Sequence, residues 1–183
     1  MAVAHRLNKN DAPTHITDDE KIMNENDFIV SKTDTKGFIT YGNKIFIEMS
    51  GYTKDEIIGA NHNLIRHPDM PKAAFWLAWS LIKDKKEFFG FVKNLRKCGG
   101  YYWVYAYITA DLDTDGNIRG YTSFRRKPSR KAIETIIPIY KLLKDIEEKE
   151  GVEASKKALM DYLAQNETTY EEFVVTLQAG EKA

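Results

Sequence analysis

The sequence predicts an α+β fold, in which a five-stranded antiparallel sheet carries short helices on one face and further helices follow at the C-terminus. Three observations predict it. Two short β-rich runs lie near the N-terminus, three longer β-rich runs lie further along, and segments of helical spacing lie between and after them. The chain has 183 residues, 43% of them hydrophobic, which is enough for one domain with a buried core.

The first two strands are predicted at residues 28–31 and 38–41, because both runs are rich in β-branched and aromatic residues. The segment 33–37 between them has the composition of a turn. Apolar residues then recur at helical spacing over 43–49. The sequence Thr-Lys-Asp-Glu at 53–56 is a capping box, which predicts that a second short helix starts there.

A third helix is predicted at residues 71–83, where Ala, Phe, Trp and Leu are frequent. Asp69 precedes it and is expected to cap its N-terminus, with Pro71 in its first turn, where a missing N–H costs little. A three-stranded meander follows, since two glycine-containing segments between the β-rich runs are typical of hairpin turns. The three strands are predicted at 88–97, 101–112 and 118–126.

Residues after Ser129 are predicted to be helical to the end of the chain. Apolar residues at helical spacing run from Ile133 to Ile146, and we expect this amphipathic face to be exposed and suited to a second copy of the chain or to a receptor. Gly151 separates this helix from another at 152–164. The predicted organisation is a flexible or partly helical cap at 1–27, a central domain at 28–128 and a helical extension at 129–183.

Charge and cysteine content exclude several classes of protein. Lys and Arg total 27, as do Asp and Glu, so the positive surplus of a nucleic-acid-binding protein is missing. The one cysteine, Cys98, excludes an internal disulfide and fits a reducing compartment. No run approaches the roughly 18 apolar residues of a membrane span, and the polar start does not resemble a signal peptide. We therefore expect a cytoplasmic protein that does not insert into a membrane.

No motif for catalysis or metal binding stands out. The four histidines lack the spacing of a metal site, and no pattern of nucleophile and base is visible, so we do not expect an enzyme. The basic residues between 125 and 131 are interpreted as solvated surface at the junction of the last strand and the next helix, and docking of a partner with an acidic face is the alternative.

One run of sequence points to a known family. Residues 61–75 read Asn-His-Asn-Leu-Ile-Arg-His-Pro-Asp-Met-Pro-Lys-Ala-Ala-Phe, and this run closely resembles the signature of the aerotaxis-receptor PAS family. The similarity extends over residues 28–126 and continues weakly to Leu142. It implies a PAS fold, which has the predicted order of strands and helices and encloses a small-molecule cavity.

The resemblance also implies a ligand and a partner. Members of this family hold FAD non-covalently and report the redox state of the cell to the chemotaxis machinery. This chain then resembles the stand-alone PAS half of a bipartite energy-taxis system, in which the partner is a membrane chemoreceptor that lacks its own PAS domain. A homodimer is a further expectation.

A flavin needs an aromatic wall, hydrogen-bonding groups at its pyrimidine edge and cations near its phosphates or reduced ring. Where the aerotaxis receptor carries a tryptophan, this chain has Phe88, which keeps the aromatic surface and loses the indole donor. The family resemblance favours a cofactor role for the amides and for the charged residues. The candidate cofactor-binding residues are Asn43, Arg66, His67, Asp69, Phe75, Trp76, Trp79, Phe88, Asn94 and Trp103.

Each candidate also has a simpler interpretation. Asn43 and Asp69 suit helix caps, Asn94 suits a solvent-facing position on a strand, and any one aromatic residue suits the core. Three other functions remain open: a haem-binding gas sensor with His62 or His67 as axial ligand, an interaction module without a cofactor, and a flavin-dependent oxidoreductase. Covalent flavin photochemistry is not expected, because Cys98 lies in a predicted turn.

Overall fold

A computed structural model describes residues 6–180 of the chain, so the ends of the predicted cap (residues 1–5) and of the predicted extension (181–183) lie outside the described residues. The sheet has five antiparallel strands in the spatial order β2-β1-β5-β4-β3, which confirms the predicted fold class. The strands are β1 (Ile29–Asp34), β2 (Ile39–Gly42), β3 (Phe88–Leu95), β4 (Tyr101–Leu112) and β5 (Ile118–Arg126).

The strand ends follow local hydrogen bonding. β4 and β5 have the predicted bounds. β1 extends to Asp34, whose carboxylate accepts hydrogen bonds from the backbone N–H groups of Lys36 and Phe38, both at 2.9 Å, and so forms the turn into β2. β3 ends two residues earlier than predicted, since the Arg96 amide already bonds to the carbonyl of Gly100 in the hairpin turn.

Side chains along β4 alternate between two buried faces. Tyr102, Val104 and Ala106 point to one face and pack in a core with the first helices. Trp103 and Tyr105 point to the opposite face and pack in a second core with the C-terminal helices. Both faces of this strand are therefore covered, and the short helices occupy only one of them.

The helices on the first face begin and end at the residues that the sequence marks. α1 (Lys44–Ser50) begins after Asn43, whose side chain accepts from the Phe46 amide. It ends at Gly51, which has the left-handed φ of 78° that glycine tolerates. α2 (Lys54–Ile57) has the predicted capping box, and a 3₁₀ turn at His62–Ile65 follows.

Helix α3 (Lys72–Lys83) does not use the predicted cap. Pro71 is its N-cap residue and makes no side-chain hydrogen bond, while the Ala73 amide donates to Glu147 Oε1 at 2.9 Å. The Asp69 carboxylate instead accepts from Lys93 Nζ at 2.6 Å. The prediction that Asp69 caps this helix was wrong, because a carboxylate 74 residues away in sequence occupies that position.

Three helices form the C-terminal part of the chain. α4 begins after the side-chain cap Ser129, as predicted, and Gly151 separates it from α5. A capping box of Thr169 and Glu172 starts the last helix. The helices are α4 (Arg130–Glu150), α5 (Val152–Gln165) and α6 (Tyr170–Ala179).

The amphipathic face of α4 is mostly used within the chain. Tyr140 Oη donates to the backbone carbonyl of Phe91 in β3 at 2.8 Å, which joins α4 to the sheet. Ile137 and Leu142 remain exposed. The expectation of a free apolar face was therefore wrong for most of the stripe, because these side chains are in the core: Ile133, Ile136, Tyr140 and Leu143.

The N-terminal segment is extended and has one 3₁₀ turn, at Lys9–Asp11. Its backbone pairs with the start of β4, where the Tyr101 amide donates to the carbonyl of Asp19 at 2.9 Å. Glu20 forms an ion pair with Arg130 at 2.8 Å, which ties this segment to the start of α4. Within residues 6–180, no helix combines the length and the apolar character that crossing a membrane requires.

Candidate functional site

The inner face of the sheet encloses a cavity of about 170 Å³ under α3 and the 3₁₀ turn. Four of the ten candidate residues line it: Arg66, Phe75, Trp79 and Asn94. Phe75 and Trp79 come from α3 and Asn94 from β3, so the helix supplies aromatic surface and the strand supplies an amide. The cavity wall carries the cations Lys36, Arg66 and Arg125, and no carboxylate of the described residues lines it.

Arg66 stands where the 3₁₀ turn meets the sheet. It is the C-cap residue of that turn, and its backbone forms an isolated antiparallel bridge with Asn94. Its guanidinium lies over the ring of Phe75, with Cζ 3.9 Å from the ring centroid. Burial lowers the pKa of Arg66 from its usual value, and the charge of Glu147 opposes this shift.

Arg125 is a cavity cation that the sequence interpretation placed in solvent. Its side chain is only 3% exposed; Nε donates to Ser123 Oγ at 2.9 Å and Nη2 donates to Ser31 Oγ. Nη1 is buried and has no hydrogen-bond partner among residues 6–180. Strand alternation is the signal that could have identified it, because Arg125 shares the inner face with Tyr121 and Ser123.

His62 is held next to this arginine. Its Nε2 lies 3.0 Å from Arg125 Nη2, and its ring stacks on Phe46 at a centroid distance of 6.2 Å. Burial and the Arg125 charge lower the pKa of His62 to about 3. A guanidinium only donates, so Nε2 is the unprotonated acceptor nitrogen. An axial haem ligand at this nitrogen would have to break that bond, which disfavours the haem alternative for His62.

Asn94 and Tyr102 add two more polar groups without partners. Within the described part of the chain, neither Asn94 Nδ2 nor Tyr102 Oη has a hydrogen-bond partner, and both are buried. The Tyr102 hydroxyl lies near Asn94 and Arg125 but makes no bond of normal geometry with either. Burial raises the pKa of Tyr102 to about 12, so the hydroxyl stays neutral. A buried donor left unpaired costs about 1–3 kcal/mol, so these groups favour a polar ligand.

Asn43 does not line the cavity, and its side chain is engaged by the backbone. Its Oδ1 accepts from the amides of Phe46 at 3.0 Å and Val30 at 3.1 Å, while Nδ2 donates to the carbonyl of Phe28 at 2.7 Å. It therefore joins the start of α1 to β1.

His67 and Asp69 also lie outside the cavity lining. His67 is buried; its Nδ1 accepts from the Asp69 amide at 3.2 Å, and its ring meets Tyr101 edge-on. Burial and the nearby Lys93 lower the pKa of His67 to about 4. These residues connect the loop before α3 to β3 and β4.

The remaining three aromatic candidates pack elsewhere. Trp76 points away from the cavity, and Lys156 Nζ of α5 lies 5.1 Å from its ring. Phe88 stacks on Tyr170 of α6 at 5.6 Å. Trp103, on the opposite face of the sheet, lies 6.4 Å from the ring of Tyr140 in α4. They join the C-terminal helices to the sheet domain.

Comparison with known proteins agrees with this fold. Residues 39–125 match the protein family described as the PAS fold. Over 129 residues the chain is 39% identical to the aerotaxis receptor of Escherichia coli (strain K12). This alignment covers 70% of this chain and 25% of that receptor. It is 27% identical over 97 residues to the nitrogen fixation regulatory protein of Klebsiella pneumoniae, covering 53% of this chain and 20% of that one. The chain thus spans a quarter or less of these relatives.

Solved structures show the same fold at low sequence identity. The light-state structure of the blue-light photoreceptor Aureochrome1 LOV superimposes with a TM-score of 0.54 and 21% identity, over 62% of this chain and 90% of that one. A light-oxygen-voltage domain from a study of a flavin analogue superimposes with a TM-score of 0.52 and 23% identity, over 67% of this chain and 87% of that one. The chain therefore contains a domain with the PAS fold at residues 39–125, and it is similar in sequence to the aerotaxis receptor.

Proposed function

We propose that this protein is a cytoplasmic redox sensor whose cavity binds a flavin, FAD, without a covalent bond. The observation that carries the proposal is the pair of buried, unpartnered donors at the cavity, Asn94 Nδ2 and Arg125 Nη1. A flavin pyrimidine edge offers carbonyl oxygens that accept such donors. The choice of FAD over another flavin rests on the resemblance of residues 61–75 to the aerotaxis-receptor family.

The wall of the cavity has the chemistry that a flavin needs. Phe75 and Trp79 provide flat apolar surface for the ring, and Trp79 is held edge-on against Tyr121 at 5.1 Å. A bound flavin accepts electrons and gains negative charge when it is reduced. Arg66 and Arg125 place positive charge at the cavity, so these two residues favour the reduced ligand over the oxidised one.

The signal has a structural route out of the cavity. Arg66 and Phe75 line the cavity, and the Arg66 guanidinium lies on the Phe75 ring. Phe75 belongs to the start of α3, which packs on α5. Arg125 lies in β5, the strand that leads directly into α4. A change in how these residues hold the ligand therefore acts on the C-terminal helices, and no step of this mechanism requires catalysis by the protein.

We propose that the partner is a separate chemoreceptor with an acidic, partly apolar docking segment. A groove of about 330 Å³ between α4 and the outer sheet face fits such a segment. Its lining, which we call the basic groove, combines three cations with apolar surface and one acid: Lys93, Lys141, Lys144, Tyr101, Trp103, Ile137, Tyr140 and Asp69. Charge reversal at Lys141 and Lys144 should abolish receptor binding while flavin remains bound; unchanged receptor binding would contradict this surface.

Titration of the apoprotein with FAD and FMN tests the proposed ligand. Quenching of flavin fluorescence should show saturable binding of FAD with one site per chain, and weaker binding of FMN. Addition of haemin should produce no Soret band of a ligated haem. Saturable haem binding without flavin binding would overturn the proposal, and binding of neither ligand would favour an interaction module without a cofactor.

A further inference from the structure

One carboxylate of the C-terminal helices reaches the end of the helix that roofs the cavity. Glu147 of α4 accepts a hydrogen bond from the Ala73 amide in the first turn of α3, at 2.9 Å from Oε1. The same oxygen lies 3.4 Å from Ser155 Oγ in α5, a fully buried hydroxyl that donates to it. Its second oxygen, Oε2, is buried and lacks a partner in the described part of the chain. One side chain thus joins three helices.

This carboxylate also acts on the cavity cation Arg66. The Arg66 guanidinium lies on the ring of Phe75, and Phe75 follows two residues after Ala73 in α3. Among residues 6–180, no carboxylate lies within ion-pair distance of Arg66, yet the charge of Glu147 favours its protonated state. Glu147 belongs to α4, so this electrostatic influence on Arg66 comes from outside the domain that encloses the cavity.

We propose that Glu147 is a positioning residue of the flavin cavity, which holds the start of α3 and Arg66 in place and couples both to α4 and α5. This inference rests on the proposed function. A negative charge on a reduced ligand would lie near Arg66 and would compete with Glu147 for the same cation. The result is a change in the contact of Glu147 with α3, and hence in the packing of α4 and α5.

The substitution Glu147→Gln separates the charge from the hydrogen bond. The glutamine Oε1 still accepts from the Ala73 amide, but the negative charge near Arg66 is lost. Glu148→Gln is the matched control, because it removes the same charge from the next residue of α4, where the side chain is exposed. The holoprotein of each variant is compared with wild type by flavin content and by midpoint potential.

We expect E147Q to keep its flavin and to favour the reduced form by roughly fivefold or more, as a more positive midpoint potential. E148Q should match wild type. A flavin-loaded E147Q with an unchanged potential would overturn the inference and leave the proposed function intact. Absence of flavin from the wild-type protein would instead overturn the proposed function.

A second readout needs no ligand. In the apoprotein, the NMR resonance of the Arg66 Nε–H group, assigned by its loss in Arg66→Lys, should shift in E147Q and stay in place in E148Q. A purely structural cap would not move this resonance, since E147Q keeps the hydrogen bond to Ala73. An unmoved resonance in E147Q would therefore contradict the coupling even if no flavin binds.

Discussion

The buried Arg125 and the half-buried His62 form a pair on the cavity wall, with Arg125 Nη2 3.0 Å from His62 Nε2. The two residues come from the last strand of the sheet and from the 3₁₀ turn before α3. A second nitrogen of the same guanidinium, Nη1, is buried without a partner in residues 6–180. The pair therefore fixes the direction of a cation at the cavity while one donor is left for a ligand.

Replacement of Arg125 should weaken flavin binding strongly. Hydrogen bonds to charged groups contribute about 1.5–3 kcal/mol, so Arg125→Met should raise the dissociation constant for FAD by roughly tenfold to more than a hundredfold. Arg126→Met is the control, because the Arg126 side chain is exposed beside Tyr105. Fluorescence titration measures both variants, and equal affinities for FAD would contradict the role of Arg125.

The Asn94 side chain should matter for the ligand more than for folding. Its Nδ2 has no partner in the described structure, so Asn94→Ala removes no hydrogen bond of that nitrogen from the apoprotein. We expect the free energy of unfolding of the apoprotein to fall by less than about 1 kcal/mol, while FAD affinity falls by roughly tenfold. Urea denaturation and FAD titration provide the two values. A large loss of stability with unchanged affinity would show that Asn94 is structural.

Stability should decrease in acid because of His62. The pKa of His62 is lowered from 6.5 to about 3 in the folded protein, so below pH 6.5 the unfolded chain binds a proton that the folded chain excludes. Stability is therefore lost as pH falls from about 6.5 towards 3, by at most about 2 kcal/mol for this residue at pH 5.

The variant His62→Gln tests this origin of the acid sensitivity. Denaturant unfolding at pH 7.5 and at pH 5 should show a smaller difference in the variant than in wild type. His67, whose pKa is lowered to about 4, contributes a second part that the variant retains. His15→Gln changes an exposed histidine and serves as the control. An identical pH dependence in His62→Gln and wild type would refute the assignment.

The hydroxyl of Tyr140 should stabilise the contact between α4 and the sheet. It donates to the Phe91 carbonyl at 2.8 Å and lies 3.3 Å from Tyr170 Oη. Tyr140→Phe should lower the free energy of unfolding by about 1–2 kcal/mol, and Tyr41→Phe, at an exposed position, should leave it unchanged. Thermal or urea unfolding measures both variants against wild type. Equal stabilities of Tyr140→Phe and wild type would mean that this contact contributes little.

Regular local patterns made most of the fold predictable. The bounds of β4 and β5 were predicted because their β-rich runs are long and each begins after a turn that contains glycine. The capping box at Thr53 marked the start of α2. The cap of α3 could not be predicted, since Glu147 reaches it from a distant helix and Asp69 was the only acid nearby in sequence.

The residues of the candidate site were predicted only in part. Arg66 and Asn94 were identified through the family signature and an amide beside apolar residues, and they line the cavity. Arg125 was missed because it stands in a basic run that looks like surface, although strand alternation directs it inward while Phe124 faces outward. The aromatic candidates Trp76 and Trp103 were included because sequence does not show which core an aromatic residue joins.

The visible absorption spectrum of the purified wild-type protein tests the central proposal most directly, together with chromatography of the cofactor released by heat. The account predicts the two visible and near-ultraviolet bands of an oxidised flavin, their loss on chemical reduction, and release of FAD in about one copy per chain. A Soret band, or a colourless protein that stays colourless after incubation with FAD, would contradict it.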